Sequence, residues 1–102
     1  MIAHRGDTFR SIGEETRISY KKLAKYNERD KNTILSDGDI VYLAKKRTKA
    51  DKVFKKKLHT VTAGESMYGI AQQYGIRLKS LYKMNQLPSA HQLSVGERLR
   101  IY

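Results

Sequence analysis

Residues 64–75 read Gly-Glu-Ser-Met-Tyr-Gly-Ile-Ala-Gln-Gln-Tyr-Gly, and this stretch decides the fold. Ser66 is suited to cap a helix, because its hydroxyl can accept a hydrogen bond from a free backbone N–H. Apolar side chains then recur at i, i+3, i+4 and i+7, the spacing of one helical face: Met67, Ile70, Ala71 and Tyr74. Gly75 suits the left-handed C-terminal cap of such a helix. The stretch therefore predicts a turn followed by a short capped amphipathic helix.

The same pattern occurs earlier in the chain at one constant offset, the one that places Gly6 on Gly64. Identical residues at this offset run through both halves: Ile12 and Ile70, Leu23 and Leu81, Asn27 and Asn85, Leu35 and Leu93, Gly38 and Gly96. A register kept without a gap over roughly forty residues indicates two copies of one structural unit.

Each copy predicts the element order β-α-α-β. In the second copy, His59 and Val61 alternate with threonines as a short half-buried strand. The final strand directs Leu99 and Ile101 inward, as Val41 and Leu43 are expected to point in the first copy. Because neither strand is stable alone, the two must pair across the unit. The predicted fold class is α+β, with two small β-α-α-β domains, each a two-stranded antiparallel sheet with two helices packed on one face.

The first copy departs from the second inside its first helix. Gly13 replaces Ala71, and Arg17 replaces the capping Gly75. A glycine within a helix costs about 1 kcal/mol relative to alanine, so this helix is expected to be the weaker one. Thr8 is expected to cap the first helix of this copy, and Ser19 is a candidate cap for its second helix.

Charge divides the chain into three parts. The net charge is +11, and residues 44–58 hold eight Lys or Arg against a single Asp. We therefore expect domain 1 at residues 1–44, a basic Lys-rich linker at 45–57 and domain 2 at 58–102. The linker is expected to be solvated, unless Val53, Phe54 or Leu58 docks on a domain.

Several kinds of chemistry lack the residues they need. The chain has no cysteine, which excludes disulfides and thiolate metal sites, and no apolar run reaches membrane-spanning length. Its three histidines do not recur between the copies, and their spacing predicts no metal site and no cofactor. Glu65 and Glu97, the acids of the second copy, are better explained by turn chemistry than by a catalytic pair. Asn27 and Asn85 are expected to bond the backbone of the loops that follow them.

The ordered motif resembles the LysM family. In the first copy it reads Gly6-Asp7-Thr8-Phe9, Ile12, Leu23, Asn27 and Leu35-Ser36-Asp37-Gly38-Asp39. In the second it reads Gly64-Glu65-Ser66-Met67, Ile70, Leu81, Asn85 and Leu93-Ser94-Val95-Gly96-Glu97. The tandem pair with its basic connector also resembles the C-terminal part of secreted bacterial glucosaminidases, which are peptidoglycan hydrolases.

The resemblance implies a non-catalytic carbohydrate-binding module for N-acetylglucosamine polymers, namely peptidoglycan or chitin. It places the ligand in a groove between the first strand–helix loop and the loop before the last strand. Carried over by position, the ligand-binding residues of the first copy are Gly6, Asp7, Thr8, Phe9, Ile34 and Leu35. Those of the second copy are Gly64, Glu65, Ser66, Met67, Gln92 and Leu93, and His91 joins them because it lies near the predicted groove.

The resemblance also implies a setting. We expect an extracytoplasmic monomer at the cell envelope, cut from a longer protein whose upstream domain is a cell-wall hydrolase that the two modules anchor. The basic segment 45–57 is expected to attract anionic wall polymers. The alternative is a basic protein that binds nucleic acid or an anionic surface through the same segment. Nucleic acid is not expected, because no stacking platform of repeated aromatic residues accompanies the charge.

Overall fold

The computed structural model describes residues 1–102 and divides into two compact units, Met1–Lys46 and Arg47–Tyr102. The first unit contains helices α1 (Phe9–Thr16) and α2 (Tyr20–Tyr26). The second contains a short 3-10 helix (Lys52–Phe54), strand β1 (Leu58–Thr60), helices α3 (Met67–Tyr74) and α4 (Leu78–Met84), and strand β2 (Arg98–Arg100). The α+β class predicted from the sequence is confirmed.

The sheet of the second unit pairs β1 with β2 in antiparallel register. His59 lies opposite Leu99, with Leu58 opposite Arg100. Leu99 is buried while its neighbours along β2 are exposed, which is the alternation that a one-sided sheet requires.

The first unit makes the same pairing over a shorter length. Ile2 and Ile40 form an isolated antiparallel bridge, and the Val41 amide donates to the Met1 carbonyl oxygen over 2.7 Å. Val41 is buried as predicted, but the expectation for Leu43 is wrong, since it is 38% exposed. Leu43 makes none of the backbone hydrogen bonds that pair this edge with the opposite segment, so the pairing does not fix the direction of its side chain.

Each unit has its own hydrophobic core, in which its two helices pack on each other. The core of the first unit consists of Ala3, Phe9, Ile12, Leu23, Ala24, Leu35 and Val41. That of the second consists of Ala50, Val61, Met67, Ile70, Ala71, Ile76, Leu81, Leu99 and Ile101. Cores of this size are near the lower limit for a domain without disulfides or a metal.

The first helix of each unit starts with the predicted side-chain cap. The hydroxyl of Thr8 accepts from the Ser11 amide, and that of Ser66 accepts from the Gly69 amide. Ser19 makes no such bond. Its backbone angles (φ −53°, ψ 131°) differ from the more extended conformation in which Thr8 (φ −133°) and Ser66 (φ −123°) reach the helix N–H groups. The second helix of the first unit therefore begins without a side-chain cap.

Part of the basic segment is built into the second unit. The Arg47 amide donates to the Gly75 carbonyl oxygen, and the amide of the buried Ala50 donates to Ile101. Phe54 packs edge-on against Tyr74, with 5.1 Å between ring centroids. Of the three apolar residues expected as docking candidates, Phe54 thus contacts the core, whereas Val53 and Leu58 are exposed.

Candidate functional site

In the first unit the two predicted groove loops lie side by side. Thr8 and Ile34 form an antiparallel bridge, and the Leu35 amide donates to the Asp7 carbonyl oxygen over 2.9 Å. In the second unit Val61 pairs with the Gly96–Glu97 turn: the Val61 amide donates to the Glu97 carbonyl oxygen, and the Gly96 amide donates to the Val61 carbonyl oxygen. The two corresponding loops flank this pairing. The candidate groove of each unit therefore lies at one end of its sheet.

The same type of turn occurs twice in each unit, once before the first helix and once before the last segment. A carboxylate accepts from the amide of the residue three positions earlier, and its own amide donates back to that residue's carbonyl oxygen. The preceding glycine has a φ between 83° and 89°, a conformation that side chains disfavour. The four turns are His4–Asp7, Ser36–Asp39, Thr62–Glu65 and Ser94–Glu97, with amide-to-carboxylate distances of 2.8, 2.8, 2.7 and 3.2 Å.

These bonds lower the pKa of Asp7, Glu65 and Glu97. The backbone N–H of His4 lowers the pKa of Asp7, helped by the Ser11 hydroxyl. The backbone N–H of Thr62 lowers the pKa of Glu65, and that of Ser94 lowers the pKa of Glu97. These carboxylates therefore stabilise the turns next to the groove loops.

The second unit adds a histidine to each of its two carboxylates. His59 Nε2 lies 2.9 Å from Glu65 Oε1, and His59 Nδ1 lies 2.7 Å from the Tyr74 hydroxyl. His91 Nε2 lies 2.7 Å from Glu97 Oε2. His59 packs edge-on against Tyr74, and its bond to Glu65 was not predicted from the sequence. The only sequence signal for that bond is the location of both residues in one strand–turn segment.

Burial separates the predicted ligand-binding residues into two groups. Phe9 is 0% exposed, and Leu35 and Met67 are also core residues, so their side chains support the loops from below. Ile34, at 74% exposure, is the large apolar side chain on the surface of the first groove. The remaining predicted residues are exposed or half-buried: Gly6, Asp7, Thr8, Gly64, Glu65, Ser66, His91, Gln92 and Leu93.

Two asparagines hold the segment after the second groove loop. Asn27 Nδ2 donates to the carbonyl oxygens of Leu23 and Tyr42, and Asn27 Oδ1 accepts from the Tyr42 amide. Asn85 makes the same three bonds to Leu81 and Arg100. The expectation that each asparagine bonds the loop directly after its helix is wrong, because Asn27 bonds Tyr42 and Asn85 bonds Arg100, both fifteen residues further along the chain.

Sequence reasoning missed two basic hollows in the second unit. One, of about 530 Å³, is lined by Arg47, Thr48, Lys49, Ala50, Asp51, Lys52 and Tyr102. The other, of about 470 Å³, shares Thr48 and is otherwise lined by Ser80, Lys83, Met84, Gln86 and Arg100. The basic segment therefore continues onto α4 and β2, which are far away in sequence.

Two further features bear on function. No three His, Asp or Glu side chains converge as metal ligands would. None of the helices has the length and apolar character needed to cross a bilayer.

The chain is similar to parts of longer proteins. It is 26% identical to an autolysin of Enterococcus faecalis over 101 residues, which cover 94% of this chain and 13% of the autolysin. The spore cortex-lytic enzyme SleL of Bacillus cereus aligns with the whole chain at 24% identity and a TM-score of 0.42, and 22% of that enzyme is covered. SleL of Bacillus megaterium aligns with 99% of the chain at 22% identity and a TM-score of 0.41, and 21% of it is covered. The chain thus spans about a fifth or less of each of these proteins.

The family comparison covers most of the chain. The model of the LysM domain matches it twice, at residues 4–41 and 59–101, which are the two copies of the internal repeat. The resemblance seen in the sequence motifs is confirmed, and the chain belongs to the LysM domain family, as a tandem pair of carbohydrate-binding modules.

Proposed function

We propose that this chain holds N-acetylglucosamine polymers, with peptidoglycan as the principal ligand, in the groove between the two loops of a LysM unit, and that it does not cleave them. The observation that carries the proposal is the juxtaposition of the Gly6–Phe9 loop and the Ile34–Leu35 loop at one end of the first sheet. This arrangement brings the two loops together and leaves the apolar side chain of Ile34 exposed beside them.

The chemistry of an N-acetyl group suits such a groove. The group carries one N–H donor, one C=O acceptor and a methyl, so backbone groups of the loops can meet the first two. Ile34 in the first unit and the half-buried Leu93 in the second are placed to cover the methyl. Phe9 and Leu35 are too deeply buried for that contact.

The acidic residues support binding without hydrolysis. A glycosidase needs one carboxylic acid that keeps its proton and a second carboxylate across the scissile bond. Glu65 and Glu97 are instead tied to turn N–H groups and histidines, and their pKa values are lowered, so neither holds a proton at neutral pH. A group in that state cannot serve as a general acid.

The setting we propose is extracytoplasmic, with the pair anchoring an attached cell-wall hydrolase on its substrate. The support is the similarity to a protein named autolysin, of which this chain spans 13%. Two tethered sites raise the avidity for a polymer by about 10²–10⁴-fold where both can engage the same strand. A repetitive glycan is therefore a better ligand than a short oligomer.

The proposal is tested by sedimenting the chain with purified peptidoglycan and with chitin, each at low and at moderate salt. Binding to uncharged chitin oligomers should persist as salt rises, because hydrogen bonds and apolar contacts dominate there. Failure to bind either glycan at millimolar sugar would contradict the proposal. A ratio of peptidoglycan to chitin affinity near or below one would leave glycan binding intact but remove peptidoglycan as the principal ligand.

A second function concerns anionic wall polymers. The two basic hollows meet at Thr48, and they line a surface with Arg47, Lys49, Lys83 and Arg100. We propose that this surface attracts a polyanion of the wall by charge. Nucleic acid fits less well, since the Lys49 ammonium covers one face of the Tyr102 ring at 4.2 Å and no second aromatic residue lines the two hollows.

A further inference from the structure

The loops of the first unit satisfy their own hydrogen-bonding groups. The Leu35 amide donates to the Asp7 carbonyl oxygen across the groove, over 2.9 Å. The Thr8 amide donates to Ser11 Oγ, also over 2.9 Å, and the Ser11 hydroxyl lies 3.0 Å from Asp7 Oδ1. The two groove loops of the first unit are therefore bonded to each other. The first loop is additionally bonded to helix α1.

The corresponding atoms of the second unit make none of these bonds. Leu93 stands in the place of Leu35 and Glu65 in the place of Asp7, but the Leu93 amide and the Glu65 carbonyl oxygen have no partner in the protein. Gly69 occupies the place of Ser11 and has no hydroxyl, so the Ser66 amide is likewise unpaired. The Glu65 carboxylate is held by Thr62 and His59 instead of by a serine.

We infer that the two units are unequal and that the second unit is the stronger site for the sugar, because the loop backbone groups that bond each other in the first unit do not do so in the second. The inference rests on the proposed function and adds which unit acts. In the first unit the Leu35 amide and the Asp7 carbonyl oxygen bond each other, so a sugar must break that bond before it can enter. In the second unit a new bond to the sugar replaces only bonds to water, so no bond within the protein has to be broken.

One exposed residue of the second groove loop also differs between the units, and it too favours sugar binding by the second unit. Gln92 in the second unit aligns with Ile34 in the first, and both side chains are exposed. The Gln92 amide can donate to and accept from sugar hydroxyls, whereas Ile34 offers only apolar contact. The unpaired backbone groups of the groove loops and the polar side chain of Gln92 therefore belong to the same unit.

A titration of the full chain with N-acetylglucosamine tetramer, followed by backbone amide chemical shifts, tests the inference. We expect the amides of residues 65–67 and 91–93 to shift at about tenfold lower sugar concentration than those of 7–9 and 33–35, the factor that roughly one net hydrogen bond supplies. The amide of Leu93 should show a downfield change typical of a new hydrogen bond. Equal affinities, or earlier saturation of the first unit, would overturn the inference while leaving glycan binding in place.

Matched exchanges at the aligned wall position sharpen the test. Gln92→Ile should weaken tetramer binding several-fold, and Ile34→Gln should leave the stronger site unchanged. Both side chains are exposed, so neither exchange should alter the melting temperature. Loss of affinity on Ile34→Gln with none on Gln92→Ile would assign the site to the first unit. Absence of shifts in all four segments at millimolar tetramer would contradict the proposed function itself.

Discussion

At the scale of single residues, carboxylates and asparagines organise the loops. Each turn carboxylate bonds a backbone N–H three residues earlier, and each of the two asparagines bonds both backbone groups of a residue in the final strand. These side chains satisfy loop backbone that no sheet or helix would otherwise pair. Their chemistry is structural, which leaves the backbone of the loops as the surface offered to a ligand.

The turn carboxylates predict a loss of stability in acid. Because the folded-state pKa values of Asp7, Glu65 and Glu97 are lowered, their contribution is complete above the unfolded values of about 3.9 for Asp and 4.3 for Glu. It is lost as pH falls through the lower folded-state pKa values. Thermal melts should therefore show a stability plateau near neutrality and a decline below about pH 4.

The double variant Glu65→Gln with Glu97→Gln is the control for the acid effect. It removes two of the three shifted groups, so its melting temperature should depend less steeply on pH than that of the parent chain. Stability that rose on acidification, or an unchanged slope in the double variant, would contradict the assignment of these carboxylates.

Substitution of Phe9 tests whether this residue stabilises the core or contacts the sugar. The side chain is fully buried in the core of the first unit, so Phe9→Ala should cost about 3–5 kcal/mol of unfolding free energy in that unit. Urea unfolding followed by amide signals of each unit measures this directly. Signals of the second unit serve as the internal control. An unchanged melting profile with weakened sugar binding would mean that Phe9 acts in the groove instead.

At the scale of elements, the first helices of the two units are built differently. The C-terminal cap of helix α3 is Gly75, with a φ of 69°, whereas that of α1 is Arg17, in the same left-handed conformation with a φ of 61°. A side chain in this conformation costs about 1 kcal/mol or more, while glycine adopts it without that penalty. The sequence-based expectation of a weaker first helix has this additional physical basis.

Gly13 in α1 lies so close to the backbone of Ile18 that a side chain has no room there. A Cβ atom there would lie 2.7 Å from the Ile18 carbonyl oxygen, a backbone atom that cannot move away cheaply. Gly13→Ala should therefore destabilise the first unit by about 1–3 kcal/mol, although alanine favours helices. Denaturant melts measure the change.

Gly69 in α3 provides the matched control for Gly13. Its added Cβ would meet only the Ser66 hydroxyl oxygen, at 3.2 Å, so Gly69→Ala should change stability by less than about 1 kcal/mol. A stabilising Gly13→Ala would show that α1 shifts to accept the methyl group and that the contact with Ile18 is not a constraint.

At the scale of the whole chain, positive charge is concentrated in the second unit. Residues 47–102 hold eleven Lys or Arg against three Asp or Glu, whereas residues 1–46 hold ten against seven. Within the first unit, the most buried cation, Lys46, pairs with Glu28 at 2.6 Å. The exposed excess is therefore a property of the second unit and its basic segment.

The exposed lysines of that segment predict a separable electrostatic function. Changing Lys55, Lys56 and Lys57 together to Gln should leave the melting temperature of both units unchanged, because all three side chains are exposed. Affinity for a polyanion such as poly(glycerol phosphate) should fall, and its dependence on salt should become shallower. Affinity for uncharged chitin oligomers should not change. Loss of chitin binding would place these lysines in the sugar site.

Much of the fold could be read from the sequence because it is written in local patterns. The repeat register, the capping residues Thr8 and Ser66, and the apolar faces of α1 and α3 depend on residues within a few positions of one another. Such patterns specify helices and turns wherever they occur. The sequence by itself thus determined the tandem β-α-α-β architecture and the membership of the LysM family.

Other features depended on contacts between distant residues. The bond from Leu35 to Asp7, its lack of a counterpart in the second unit, the docking of Ala50 on Ile101 and the burial of Phe9 join positions that no local pattern relates. Corresponding loops bond each other in one copy and not in the other, because the paths of the two loops decide which backbone groups meet. Only the tertiary structure could therefore distinguish the two grooves, because hydrogen-bond pairing across a groove is set by packing and not by motif.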